Sequence, residues 1–261
     1  MNPWAALPVL QQAENLRRLG LFASVREAFW KQEPQIAEVL ASITTPRVVI
    51  VPCFLSEGYF SDRVIPKALE FPDTEGVRTV ERNGQLLVYC KPVGVHPRLT
   101  DVVLSRARAV IAQAPFPVCP RASDISLFIA GHGTERHANS RGSVETQVER
   151  IGALGLYASV QPLFLEEEPR IGRAYELAKT SNIVVVPFFL GDGLHAQEDI
   201  PVMLGEPPDK VRQRVRNGLL AWRNPTERHG KLLWYSASVG TDPALAEVIV
   251  ELSEAALQPA S

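Results

Sequence analysis

Displaced by 135 positions, the sequence falls onto itself without a gap from Gly20 through Pro66. Gly20 meets Gly155, Phe29 meets Phe164, Glu33-Pro34 meets Glu168-Pro169, Pro52 meets Pro187, Gly58 meets Gly193, and Ile65-Pro66 meets Ile200-Pro201. Farther on the offset becomes 146, with Gly84 on Gly230, Leu86-Leu87 on Leu232-Leu233 and Val93-Gly94 on Val239-Gly240. The second half therefore carries an 11-residue insertion between Leu204 and Arg228. A duplication of this kind restricts the fold to two copies of one unit, each the size of an ordinary domain.

The elements of that unit are clearest in the second half. Apolar runs suited to buried strands occupy 125–130, 159–165, 183–189 and 231–237. Between them come a helix over about 140–154, capped by Asn139 or Ser140, a helix opening at Pro169, a short helix near 198–204, and a closing helix from Pro243 to about Ala256. Strands alternating with helices predict an α/β fold: a parallel sheet flanked by helices in each half. The three prolines of 114–123 mark a linker, so the expected domains are 1–114, a linker at 115–123, and 124–261. The first half is incomplete. Met1 aligns with Arg136, so the counterpart of strand 125–130 would precede the first residue, and the expectation is that the coding frame extends upstream.

Two strand ends carry histidine. Ile125–Thr134 reads ISLFIAGHGT, placing His132 in a Gly-His-Gly turn directly after an apolar strand. Ile183-Val184-Val185-Val186 is followed by Pro187, two phenylalanines, the turn Gly191-Asp192-Gly193, and then His195. Loops at the carboxyl ends of strands are where open α/β sheets bind ligands, so both imidazoles are candidates for one crevice. Each also has a structural reading, as a helix cap or a partner for a loop carbonyl. Glu166, at the end of strand 159–165, is the carboxylate best placed to join them. Glu168, before Pro169, is placed instead to complement a helix dipole. Two imidazoles and a carboxylate suit a divalent metal with open positions, and a neutral imidazole is also a competent base. The first half has Lys31 and Phe60 where the second has Glu166 and His195, and nothing opposite His132, so it is not a second copy of the site. Phe60 and Tyr59 suggest an apolar wall. His96, His137 and His229 have no partners at metal-like spacing and read as surface residues.

The rest of the composition excludes more than it suggests. Net charge is −2, with 46 % hydrophobic and 21 % charged residues, so neither nucleic acid nor a membrane surface is an expected partner. No apolar run reaches the roughly 20 residues of a membrane span, and the N-terminus lacks a signal peptide's pattern, which makes the cytoplasm the expected location. Cys53, Cys90 and Cys119 form no paired motif. GxSxG, P-loop, GxGxxG and HExxH motifs are absent.

The segments GHGT with His132, FLEEEP with Glu166 and VVVPFFLGDGLHAQEDIP with His195 resemble, in order and spacing, the sirohydrochlorin cobaltochelatase/ferrochelatase family. These are the small class II chelatases of cobalamin and sirohaem synthesis. The resemblance implies a chelatase-like α/β fold of two similar domains and a lyase-type activity that inserts Co²⁺ or Fe²⁺ into sirohydrochlorin or a close relative. It implies that His132, Glu166 and His195 bind the incoming metal and accept the ring's protons. The metal is then a substrate, no cofactor is permanently bound, and the chain works as a monomer or homodimer. Arg136, Arg141, Arg173 and the Lys210/Arg212/Arg214/Arg216 cluster are candidates to orient the ring's carboxylates. The alternative in a different class is a carrier that binds a tetrapyrrole or metal without catalysis.

Overall fold

In a computed structural model of the chain, residues 3–115, 117, 119–133 and 138–258 are described. The chain begins with a helix, α1 (Pro3–Leu19), followed by α2 (Ile36–Ser42), β1 (Arg47–Ile50), a π-helical turn at Phe60–Val64 that continues into α3 (Ile65–Ala68), β2 (Arg78–Arg82) and β3 (Gln85–Tyr89). After α4 (Leu99–Gln113) come β4 (Ile125–Gly131), α5 (Ala138–Ala153), β5 (Ser159–Phe164), α6 (Ala174–Leu177) and β6 (Asn182–Pro187). A second π turn, His195–Asp199, leads into α7 (Ile200–Met203), then α8 (Pro208–Arg216), β7 (Thr226–Arg228), β8 (Lys231–Tyr235) and α9 (Leu245–Leu257).

The chain divides into two compact units, and they do not coincide with the halves of the repeat. One comprises residues 1–99 with 243–261, the other 100–242. The closing helix of each half thus belongs to the unit built from the other half's sheet. The sequence boundary expected at 115–123 lies wholly inside the second unit.

The second unit holds a five-stranded sheet in the order β5-β4-β6-β8-β7. β4, β5, β6 and β8 run parallel, as the strand–helix alternation anticipates. β4 lies between β5 and β6, and all seven of its residues are buried. Ile183 to Val186 are likewise fully covered, the outcome expected of a continuous β-branched run in a parallel sheet. One face packs Phe128, Leu163, Ile171, Ile200, Trp222, Leu233 and Tyr235 into a single core.

Among the described residues the first unit has three strands, in the order β1-β3-β2. Its β1 corresponds to β6 but, among the described residues, has no strand partner on the side where β6 meets β4. The consequence spreads to the next element. Residues 24–29 align with β5, yet they form no strand and contribute only a single bridge, Phe29 to Gln35. β5 pairs with β4 alone, so a copy of β5 without a copy of β4 has no ladder to join. The first core is correspondingly smaller, built around Val48, Ile65, Leu69, Phe71, Leu87 and Tyr89.

Both sheets also carry an antiparallel edge strand that the strand–helix pattern does not announce. β2 joins β3 through Asn83-Gly84, and β7 joins β8 through His229-Gly230, with all four turn residues at positive φ. Positive φ at both central residues is the geometry of a tight two-residue hairpin, for which Asn-Gly is the strongest short-range signal.

Of the histidines expected at the surface, His229 is exposed in its hairpin turn. His96 is not: its side chain is 16 % exposed, with Nε2 at 3.6 Å from Glu251 of α9 in the same unit. Burial pushes its pKa below the usual imidazole value. His137 and Arg136 lie outside the described residues.

Candidate active site

The second unit brings His132, Glu166 and His195 to one cleft of about 410 Å³, together with Leu165, Glu198, Asp199, Val202, Met203, Pro208 and Arg212. Each of the three arrives by a separate backbone device.

His132 follows the last residue of β4. The glycines beside it are demanded by close packing. A Cβ on Gly131 would stand 2.5 Å from Val144 Cγ2, and one on Gly133, whose φ is +60°, would stand 2.6 Å from Phe164 Cβ. His132 donates nothing from Nδ1 to a described residue, although that atom is buried. Its carbonyl accepts the backbone N–H groups of Leu165 at 3.1 Å and Glu166 at 3.2 Å. That pairing stitches the loop after β4 to the loop after β5, and it sets the Glu166 carboxylate 3.8 Å from His132 Nε2.

His195 opens the π turn. The Gly191-Asp192-Gly193 turn before it is fixed by Asp192, whose carboxylate accepts the Ser238 N–H at 2.8 Å. Behind it, Gly240 lies so near that an added Cβ would be 2.0 Å from the Leu190 carbonyl oxygen. The buried Tyr235 hydroxyl donates to the Ala196 carbonyl at 2.6 Å, clamping the residue next to His195. The imidazole is then oriented by its own turn: Nδ1 is 2.6 Å from Asp199 Oδ2. A neutral ring in that contact carries its proton on Nδ1, which leaves the Nε2 lone pair for the cleft. The rings of His132 and His195 meet edge to face, with centroids 5.1 Å apart.

These positions allow two imidazoles and a carboxylate to share one incoming cation or to receive protons from one bound molecule. Among the described residues, no three His, Cys, Asp or Glu side chains are gathered as tightly as a resident metal site requires. Asp199 escaped the sequence reading, although its spacing of four from His195 was a usable signal. The repeat gave no help there, because the matching residue of the first half is Val64.

The arginines proposed from sequence divide sharply. Arg141 is committed to Glu145 at 2.8 Å and Glu167 at 2.9 Å, with its guanidinium 4.7 Å over the Phe164 ring. Arg173 is paired with Glu176 at 2.9 Å and Glu168 at 3.5 Å. Arg214 is held by Glu206. Among those of them that are described, Arg212 lines the cleft.

The α/β sheet of the second unit thus gathers two histidines and a glutamate at one cleft beyond the carboxyl ends of its strands, the class of open-edged site in which α/β proteins take up ligands. Comparison with known proteins makes the class specific. The CbiX family profile matches residues 2–110 and again 126–256, and the chain belongs to that family. A probable sirohydrochlorin cobaltochelatase of Halobacterium salinarum is 36 % identical over 96 % of this chain and 86 % of its own length. The sirohydrochlorin cobaltochelatase of Methanopyrus kandleri is 32 % identical over 51 % of this chain and 97 % of its own length. Among solved structures, the multi-domain protein DR2241 of Deinococcus radiodurans, described as structurally similar to chelatases, superposes with a TM-score of 0.77 at 26 % identity. It matches 97 % of this chain, which spans about half of that protein, 52 %. A CbiX described as the terminal enzyme of sirohaem biosynthesis in denitrifying bacteria shares the fold at TM-score 0.64 and 20 % identity, over 99 % of this chain and 96 % of its own.

Proposed function

We propose that this chain is a metal chelatase that inserts a divalent ion, Co²⁺ or Fe²⁺, into sirohydrochlorin or a closely related tetrapyrrole. The observation that carries the reading is the convergence of His132, Glu166 and His195 on one cleft in a chain of the CbiX family. In the reaction a hydrated M²⁺ and a ring bearing two pyrrole N–H groups become a metallated ring and two protons. The protein must therefore loosen water from the ion, hold the ion against the ring nitrogens, and accept the protons.

His195 suits the first task because Asp199 fixes its ring and leaves Nε2 as donor. His132 and Glu166, 3.8 Å apart, form a second pair that can hold the ion or take a proton from the ring and pass it to solvent at the exposed carboxylate.

The test is anaerobic insertion of Co²⁺ or Fe²⁺ into sirohydrochlorin, followed by the ring's absorbance, with wild type and His195→Ala. Insertion that collapses in the variant while the ring still binds supports the chelatase. A wild-type rate equal to the protein-free control, with the ring bound, would replace it with a carrier.

A further inference from the structure

The insertion that distinguishes the second half contains α8, and its cations are sorted by the helix into two kinds. Arg214 faces Glu206, with their side chains only 12 % and 11 % exposed, and Arg228 approaches the other Glu206 oxygen at 4.0 Å. With Val211, which is fully buried, this network fastens the inner side of the helix. Arg212 lies elsewhere on the helix and is 54 % exposed. Its nearest carboxylates, Glu198 and Asp209, both stand 3.9 Å away, beyond hydrogen-bonding reach. The guanidinium thus stands in two loose ion pairs with a hydrogen bond to neither, so an incoming carboxylate can take its place beside it, on a backbone that is held from beneath.

Arg212 is also the residue shared by two hollows. One is the cleft with His132, Glu166 and His195; the other is a depression of about 240 Å³ lined by Asp209, Arg212, Gln213, Arg216 and Asn217. Arg216 follows Arg212 by one helical turn, is exposed, and forms no ion pair with a described residue. The corresponding stretch of the first half, between α3 and β2, has no such helix and carries Glu70, Asp73 and Glu75 instead. The basic strip thus accompanies the histidines and is missing where they are missing.

We propose that Arg212 and Arg216 form a carboxylate-binding strip that orients an acidic macrocycle in the cleft. One peripheral carboxylate of the ring pairs with Arg212 at the cleft's rim, and a second reaches Arg216 in the adjoining depression. The planar guanidinium fork recognises carboxylates in two-point geometry, and α8 supplies the rigid support such recognition needs. The inference rests on the chelatase reading and adds to it the residues that select a polycarboxylate ring.

The experiment titrates the full chain with metal-free sirohydrochlorin and measures insertion at varied ring concentration with saturating Co²⁺. Arg212→Ala is expected to raise both the Kd and the KM for the ring about ten-fold with kcat within two-fold, the size of a lost charge-assisted contact. Arg212→Lys recovers part of the loss, Arg216→Ala weakens binding about three-fold, and added salt narrows the gap to wild type. An Arg212→Ala protein with unchanged Kd and KM, or with a lowered kcat at unchanged KM, overturns the strip. Should that variant fail to fold by circular dichroism, Arg212→Gln carries the same expectation. The same assay, with His195→Ala beside it, separates the two ideas. Wild-type insertion no faster than the protein-free control refutes the chelatase reading, full insertion by His195→Ala removes only the role given to His195, and an Arg212→Ala that binds normally in a chain that does insert refutes the strip alone.

Discussion

The two halves keep one backbone plan and differ in nearly every group that could do chemistry. Both have a π turn at the same place, Phe60–Val64 and His195–Asp199. Both clamp it with a buried tyrosine: Tyr89 donates to the Ser61 carbonyl at 2.8 Å, and Tyr235 to that of Ala196 at 2.6 Å. Both press a glycine against a leucine backbone, Gly94 on Leu55 and Gly240 on Leu190, each at 2.0 Å for an added Cβ. On that shared frame the second half mounts Glu166, His195 and Asp199, and the first mounts Lys31, Phe60 and Val64. There the Lys31 ammonium sits 5.1 Å from the Phe60 ring centre, and Phe60 packs edge-on to an exposed Tyr59. An ammonium and an aromatic ring offer a divalent cation nothing to bind. Frame and chemistry are therefore separable: the frame survives wherever backbone packing enforces it, and the donors survive only in the half that also has β4 to carry His132.

The sharpest way to break this contrast is to truncate the matching residues. His195→Ala is expected to reduce insertion by about 10²- to 10⁴-fold, the range for a lost acid–base or metal-handling group. Phe60→Ala should leave kcat within a few-fold, and equal losses would mean that the first half's edge takes part in the chemistry. Next in size come the glycines. Gly240→Ala and Gly94→Ala each force a methyl into backbone atoms that cannot yield, at about 3 kcal/mol or more in urea-melt stability. Comparable costs at both sites would show that the frame is equally tight in each half. A tolerated Gly94→Ala would show that the first half has relaxed its frame as well as its donors.

What could be read from sequence follows the same line. The duplication, the buried runs at 125–130 and 183–186, and His132, Glu166 and His195 were legible because each leaves a local mark: a repeat, a β-branched stretch, a polar residue after a strand. The exchange of closing helices between units was not legible, since α4 and α9 have sequences that fit either sheet and only packing decides. The antiparallel strands were missed although Asn83-Gly84 announces one of them. The loss of strand structure at 24–29 follows from the missing partner and leaves no mark in that segment's own residues. Arg141, Arg173 and Arg214 looked as available as Arg212, because counter-ions such as Glu167 and Glu206 come from other elements.

The finest test of the comparison uses the two tyrosines. Tyr89 and Tyr235 are 1 % and 7 % exposed, and burial raises both phenol pKa values above the ordinary 10.0. Replacing either with Phe leaves a carbonyl of the π turn unpaired, at about 1–2 kcal/mol of stability in each half. Only Tyr235→Phe should also slow insertion, by a few-fold, because Ala196 is bonded to His195 whereas Ser61 neighbours Phe60. The pH dependence has a definite sign. Above pH 10 the unfolded chain releases phenol protons that the folded chain keeps, so the folded state binds more protons and stability falls as pH rises. The slope is about 1.4 kcal/mol per pH unit for each such group. Each Tyr→Phe variant should lose one group's share of it. In the first unit the decline begins earlier, near pH 9, because burial pushes two thiols up from 9.0, Cys53 to about 11 and Cys90 to about 12. Hydrogen exchange resolved by unit between pH 9 and 10 reads the difference; Cys90→Ser should halve the first unit's excess slope, and Cys53→Ser with Cys90→Ser should bring its onset up to that of the second. A first unit that holds its protection through that interval would mean that Cys53 and Cys90 are less sealed than Tyr235, and that the smaller core has opened around them.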